Sequence, residues 1–401
     1  MSYFERTQVE TSDSASVDAF QRWRVSTPVT LLDGCGCANN ARFWSNELIS
    51  GTMTSTENLA RNSTTFTSTA NTAGRRVRAT YKRFNSTPGK SIFVLCSFVM
   101  GAASGGNTKR VGYFDDRNGV FLKQDGSEVS LNRRTYTSGS AVDNKVLQAD
   151  WNLDPMDGTG PSGETIDLTK VQGMVIDLEG GAGGRVRIGW NIDGHTHYCH
   201  KFLASNVLDV AYVTTASLVV RSEMEHSGTG PASTFEFVGA TVISEGGSRP
   251  VGAPSGFSSG SVSGLNAGTG YVLQALKLDT AGVYGPVIKL AALEVAGTTN
   301  NDSFLWYLLR DPTVTGTLTY AAYGSSPIQH ATGNNTQTVT VVDDEVLAVG
   351  VGISQALVEF DAQDDVQLEV ASDNTPIPLI LAIFPLSNMT AASALRWRTF
   401  A

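Results

Sequence analysis

Turn signals recur about every ten residues from residue 271 to 401, and that spacing limits this part of the chain to short elements. Runs such as Ser91–Met100, Arg185–Ile192 and Tyr271–Leu278 stand between turn signals. Asn118-Gly119 and Asp193-Gly194 are hairpin signals, because both residues accept the positive φ that a tight turn between strands demands. In Arg76–Tyr81, Val77, Ala79 and Tyr81 fall on one face at period two. Charged residues are only 17% of the chain. The remainder is rich in Gly, Ser, Thr, Asn and Val, which suit turns and pleated surfaces rather than helices. The expected fold class is all-β: two β-sandwich or jelly-roll-like domains.

The expected organisation has four parts. Residues 1–50 read as an N-terminal arm, with a short helix over Ser14–Trp23 and an extended stretch after it, since Thr27 precedes a proline. Phe20, Trp23 and Val25 are its candidate docking residues. Residues 51–247 read as one β-sandwich and 271–401 as a second, with expected strands including Gly316–Ala322 and Thr336–Val342. Residues 248–270, SRPVGAPSGFSSGSVSGLNAGTG, read as an extended linker, because Gly, Ser and Pro leave few side chains to bury.

The net charge of −9 offers no overall field to attract nucleic acid. Basic clusters at Arg75-Arg76-Val77-Arg78 and Arg133-Arg134 read as solvated strand faces. The polar start MSYFERTQVE lacks a secretory pattern, and the longest apolar run, Pro376–Pro385, is short and cut by prolines. The expectation is a protein made in the cytoplasm of its host, not exported by a signal peptide, with no membrane insertion. Cys96 sits in an apolar run and reads as buried. Cys35 and Cys37 have no second pair near them, so no disulfide framework is expected. No cofactor is expected: Gly180–Gly184 leads into a strand, so it cannot offer a helix N-terminus to a phosphate.

Two segments carry candidate site chemistry. In His195-Thr-His-Tyr-Cys-His200, a strand would put His195, His197 and Cys199 on one face, the spacing of a zinc site lacking its further partners. The segment reads instead as an ordinary second strand of a hairpin, with the histidines at the rim and Cys199 inside, and the zinc set is the alternative. In Asp150-Trp-Asn-Leu-Asp-Pro-Met-Asp157, the start resembles a calcium loop, but Pro155 and Pro161 stand where such a loop needs Gly and Glu. Trp151 with Asp154 or Asp157 is the candidate binding group for a glycan or an ion. The acid pairs Asp115-Asp116, Asp343-Asp344 and Asp364-Asp365 are adjacent in sequence. Strand neighbours point to opposite faces, so these are not the paired carboxylates of a glycosidase, and no nucleophile motif is present.

The segments Phe20–Ser26, Asp115–Phe121, Gln148–Gly163, Gly184–Gly189, Thr229–Thr234 and Val242–Gly247 together resemble a recurring family of virion structural proteins of tailed bacteriophages, many of them marine. The resemblance covers roughly residues 1–247. It implies a non-enzymatic virion component of the tail, baseplate or fibre, or alternatively a capsid decoration or head-fibre protein. A glycan-degrading tail enzyme is the further alternative. The partners implied are copies of itself, with a trimer favoured, other virion proteins, and a host-surface glycan. The hairpin Arg185–Phe202 also resembles those of lectin-like jelly rolls. The resemblance supplies no catalytic residues.

Overall fold

The computed structural model describes residues 27–35, 43–180, 184–246, 252–280, 285–299, 301–360 and 366–400. The helix expected over Ser14–Trp23 and the docking residues Phe20, Trp23 and Val25 lie outside them. The described residues are all-β, with antiparallel pairing throughout and only single 3₁₀ turns at Gln148–Asp150 and Asp343–Glu345.

The first core lies between two sheets. One runs His195–Phe202, Val186–Ile192, Gln172–Glu179, Ser91–Val99, Thr234–Ser244, Ser63–Thr67, Thr54–Asn58, with Val29–Cys35 also paired to Thr234–Ser244. The other runs Val142–Leu147, Glu128–Thr135, Gly119–Gly126, Ser104–Phe114, Val220–His226, Gly74–Thr80, Trp44–Gly51. Period-two patterning decides the inward faces. Ile92, Val94, Cys96 and Phe98 are all buried, while Phe93, Leu95 and Ser97 between them are only half-buried. They meet Met224, Val111 and Leu122 of the facing sheet in one hydrophobic cluster.

The second core is built from one continuous run of paired strands folded into two layers. The run is Ala253–Leu265, Met389–Phe400, Val287–Gly297, Gln355–Glu359, Val346–Ile353, Ser303–Arg310, Leu379–Pro385, Tyr271–Leu278, Ile328–Thr332, Ala321–Ala322. Gln355–Glu359 and Val346–Ile353 pair only at Ile353 and Gln355. The sheet therefore parts there into two layers, and Leu293, Leu395 and Trp397 of one layer cluster with Phe304, Trp306 and Leu381 of the other.

Three sequence expectations need correction. The arm does not extend to residue 50: Val29–Cys35 and Trp44–Gly51 are sheet strands. Leu32 and Trp44 are buried, and Trp44 packs edge-to-face on Phe237 at 5.1 Å. Pro28 marks the entry to a strand, not a free extended segment. The linker is likewise largely a strand: Ala253–Leu265 pairs along Met389–Phe400. An edge strand needs only backbone hydrogen bonds, and the twelve-residue partner supplies them, so Gly and Ser suffice. Finally, Gly316–Ala322 and Thr336–Val342 contain only two-residue pairings, at Ala321–Ala322 and Thr338–Val339. Their alternation is too brief to hold a ladder.

The two bodies touch. The Ser372 backbone N–H donates to both carboxylate oxygens of Glu47 at 3.0 Å, and its hydroxyl lies 2.9 Å from that of Ser45. Arg310 pairs with Glu369 at 2.8 Å and stacks on Tyr81 at 4.6 Å.

Candidate functional site

The loop after Leu147 is folded back against the hairpin Val186–Phe202. The Leu153 and Asp154 N–H groups both donate to the Cys199 carbonyl, at 3.0 and 2.9 Å. Asn152 exchanges two bonds with Lys201, and its N–H donates to His200 Nδ1 at 3.2 Å. Trp151 is therefore turned inward: it is 4% exposed and stacks on Trp190 with centroids 5.3 Å apart. An indole in that position cannot meet a sugar ring, which corrects its reading as a glycan platform. Asp154 is buried, and its carboxylate accepts the N–H groups of Met156 at 2.8 Å and Ser162 at 2.7 Å. Burial alone would raise its pKa, but these donors hold it below the usual carboxylate range. Asp157 is exposed and caps Thr159 through its N–H and hydroxyl. The Asp residues shape the loop; the three do not converge on a ligand position.

The histidine segment is the second strand of a hairpin with Cys199 inside, as expected, but its register carries an irregularity. Ile188 pairs with His200 and Gly189 with Tyr198, so Cys199 is the extra residue of a β-bulge. Beyond the bulge the phase changes, so His200 joins the face of His195 and His197, while Cys199 is buried in the same hydrophobic cluster as Ile188 and Trp190. His195 is exposed, and its ring centroid lies 6.4 Å from that of His197. The Cys199 thiol is buried and donates to the Ile188 carbonyl at 3.2 Å; burial pushes its pKa well up. Among the described residues, no group of three or more His, Cys, Asp and Glu side chains is placed to hold a metal ion. Burial, followed by the nearby Arg133, lowers the His200 pKa to about 4, so its Nδ1 remains an acceptor.

The most concentrated chemistry lies on the outward face of the sheet holding Val220–His226. Glu223 stands opposite Arg110 on one side and Val77 on the other. It is 1% exposed and is bonded by Arg110 at 2.6 Å, Arg221 at 2.6 Å and Arg75 at 3.0 Å. Arg110 also reaches Glu225 at 3.1 Å, while Asp116 joins Arg75 at 2.8 Å and Arg221 at 2.9 Å. Three guanidinium groups thus face three carboxylates. Burial would raise the Glu223 pKa, but Arg221, Arg110 and Arg75 outweigh it and hold the carboxyl well below its ordinary value. Arg221 and Arg134 lie over the buried rings of Phe114 and Phe121.

These groups correct the reading of the basic clusters as solvated faces. Arg78 and Arg133 are buried, and Arg75 is inside the ion network. Part of the signal was available: Arg221, Glu223 and Glu225 share one strand face at period two, and the neighbouring strands Gly74–Thr80 and Ser104–Phe114 each add one arginine to that face, Arg75 and Arg110. Sequence alone could not say that these three strands are neighbours.

This face suits fixed-charge support better than acid–base chemistry. A glycosidase pair needs one carboxyl that stays protonated near neutral pH. Glu223 and Glu225 both bond Arg110 Nη1, yet Glu223 is held ionised and has no open space. A separate cavity of about 380 Å³ lies between Asn85–Pro88 and Tyr212–Leu218. Its Tyr113 hydroxyl already donates to the Phe84 carbonyl at 2.7 Å, and burial pushes the Tyr212 pKa up to about 12.

No protein-family model and no curated protein matches the chain. Several solved structures are similar to part of the chain. The Emp47p carbohydrate recognition domain is 9% identical, covering 52% of this chain and 93% of its own, with a TM-score of 0.32. The winged bean acidic lectin in complex with methyl-α-D-galactose is 8% identical, covering 55% and 99%, with a TM-score of 0.32. A glycosyl hydrolase family 16 protein from Mycobacterium smegmatis is 11% identical, covering 55% and 100%, with a TM-score of 0.32.

Proposed function

We propose that this chain is a non-enzymatic structural protein of a tailed-phage particle, a component of the tail, baseplate or fibre that binds copies of itself and neighbouring particle proteins. The observation that carries the non-enzymatic half is the closed ion network around Glu223. Arg75, Arg110, Arg221, Asp116, Glu223 and Glu225 are spent on mutual pairing, and the guanidinium groups hold the central carboxyl well below its ordinary value. The virion half is supported by the resemblance of residues 1–247. The contacts of Ser372 with Ser45 and Glu47 suit a building block whose two bodies are joined. Phe20, Trp23 and Val25 are proposed to dock the chain on the particle. Glycan recognition is not assigned to Trp151, Asp154 or Asp157.

Peptide mass spectrometry of purified particles tests this reading: the chain should be present at fixed stoichiometry, and its absence would overturn the virion role. Finding it with the head rather than the tail would replace the tail assignment by the capsid-decoration or head-fibre alternative. Incubating the protein with host surface polysaccharide should release no new reducing ends; their release would establish the tail-enzyme alternative instead.

A further inference from the structure

Val346–Ile353, VLAVGVGI, is inside out for a sandwich strand. Val349, Val351 and Ile353 point away from the core and are 54%, 66% and 70% exposed. The inward positions between them are Gly350 and Gly352. A Cβ at Gly350 would come within 2.6 Å of the Trp306 ring, and one at Gly352 within 2.3 Å of the Phe304 ring. The arrangement is therefore not a slipped register. Trp306 and Phe304 fill the core beneath this strand, and only glycine fits against them.

The apolar surface continues across the sheet. Val351 pairs with Leu305, which pairs with Phe384; Val349 pairs with Tyr307, which pairs with Ala382. Tyr307 and Phe384 pack edge to face at 5.1 Å. Further along, the same face is covered by the chain itself, where Leu309, Ile380 and Ala382 cluster with Val339. A small outer core thus runs out into a bare stripe. No charged side chain lies in Val346–Ile353, whereas Asp343, Asp344 and Glu345 stand at its start.

We propose that this stripe is where one copy of the chain packs face to face on the same stripe of a second copy. The inference rests on the self-association in the reading above and assigns it to a surface. Exposed apolar patches of about 300–600 Å² are already the largest that single-chain proteins present. Two such patches back to back remove on the order of 1,000 Å² from water, the threshold for a specific contact. Charge selects the occupant. A membrane with anionic lipid would be repelled by the acidic triplet beside the stripe. A second copy related by a two-fold axis that crosses the strand at right angles buries no charge and, by running the two strands antiparallel, sets the two triplets at opposite ends. Such a contact is isologous, so it favours a dimer over the trimer expected from the sequence.

Light scattering on the full chain should give 85 kDa, twice the chain mass of 42.5 kDa. Val351→Lys should return it to 42.5 kDa with an unchanged near-ultraviolet circular dichroism spectrum. Because a lysine variant could fail to fold, Val351→Cys gives a gain of signal. Mild oxidation should cross-link it as a dimer, while Val207→Cys, exposed on the first body, should stay uncross-linked like the parent chain. A parent dimer or trimer that survives Val351→Lys, or a trimer of any origin, would overturn this surface and leave self-association standing. A monomeric parent would remove both. Loss of the dimer on Phe20→Ala with Trp23→Ala, with Val351→Lys silent, would place the self-contact in the N-terminal segment and overturn the proposal.

Discussion

The two bodies share a fold class and treat the outer faces of their sheets in opposite ways. On the first, Arg75, Arg110 and Arg221 enclose Glu223 beside Glu225 and Asp116, so a charged face is satisfied from within. On the second, Val349, Val351 and Ile353 are left bare above a core already filled by Trp306 and Phe304. Polar groups that leave water must find partners in their own chain, because an unpaired buried charge is costly. Apolar groups carry no such obligation and can wait for a partner from outside. The charged face is thus the self-contained one, and the plain hydrophobic strand is the one positioned for contact.

The contrast breaks most readily at Glu223. Glu223→Gln leaves three guanidinium groups around a neutral amide and should destabilise the protein by about 3–5 kcal/mol, as removing one partner of a buried pair does. Urea unfolding measures this; a loss under about 1 kcal/mol would mean that water reaches the network and that it is not self-contained. Gly350→Ala comes next. A glycine-to-alanine change within a strand ordinarily helps by about 0.5–1 kcal/mol. Here the added methyl meets the Trp306 ring, so the net result should be a loss of about 1–3 kcal/mol. A stabilised variant would show that the core has room and that the outward valines are not forced there.

Much of the scaffold was legible in the residues. Tyr271–Leu278, Ser303–Arg310 and His195–Phe202 are strands at the bounds expected from their runs. Asp115 caps the Asn118-Gly119 turn through the N–H groups of Arg117 and Asn118, as a turn of that composition should be capped. What was not legible required knowledge of neighbours. The bulge at Cys199 depends on where Val186–Ile192 pairs, and it is what brings His200 onto the face of His195 and His197. Ala253–Leu265 has too little apolar content to announce a strand; it is one because Met389–Phe400 lies beside it. Trp151 looked like a surface aromatic because its loop is polar, yet the bonds to Cys199 and Lys201 carry it inward.

A third expected effect is pH-dependent and sharpens the first body's side of the comparison. His200 is neutral in the fold, with a pKa near 4, because burial and Arg133 disfavour its cation. The unfolded chain takes up a proton near pH 6.5. The stability that neutral His200 contributes is therefore complete above pH 6.5 and is lost as pH falls toward 4. Glu223 has the same sign at lower pH, with its contribution present above the ordinary glutamate range and lost as pH falls through its depressed folded value. Urea midpoints should decline in two stages, and His200→Gln should flatten the first one only. A first stage unchanged by that substitution would assign the acid sensitivity elsewhere.

The smallest expected effect is the one on the second body. Val351 touches solvent over two-thirds of its surface, so Val351→Ser should change the stability of an isolated copy by no more than about 0.5 kcal/mol. Measured at dilutions where the parent chain is monomeric, its unfolding midpoint should match the parent's. At higher concentration the parent's midpoint should rise, because association with a second folded copy stabilises the native state by mass action. The variant's midpoint should stay level. A large loss at high dilution would mean that Val351 serves its own chain's core after all, and the opposition between a self-satisfied face and a face awaiting a partner would no longer describe this molecule.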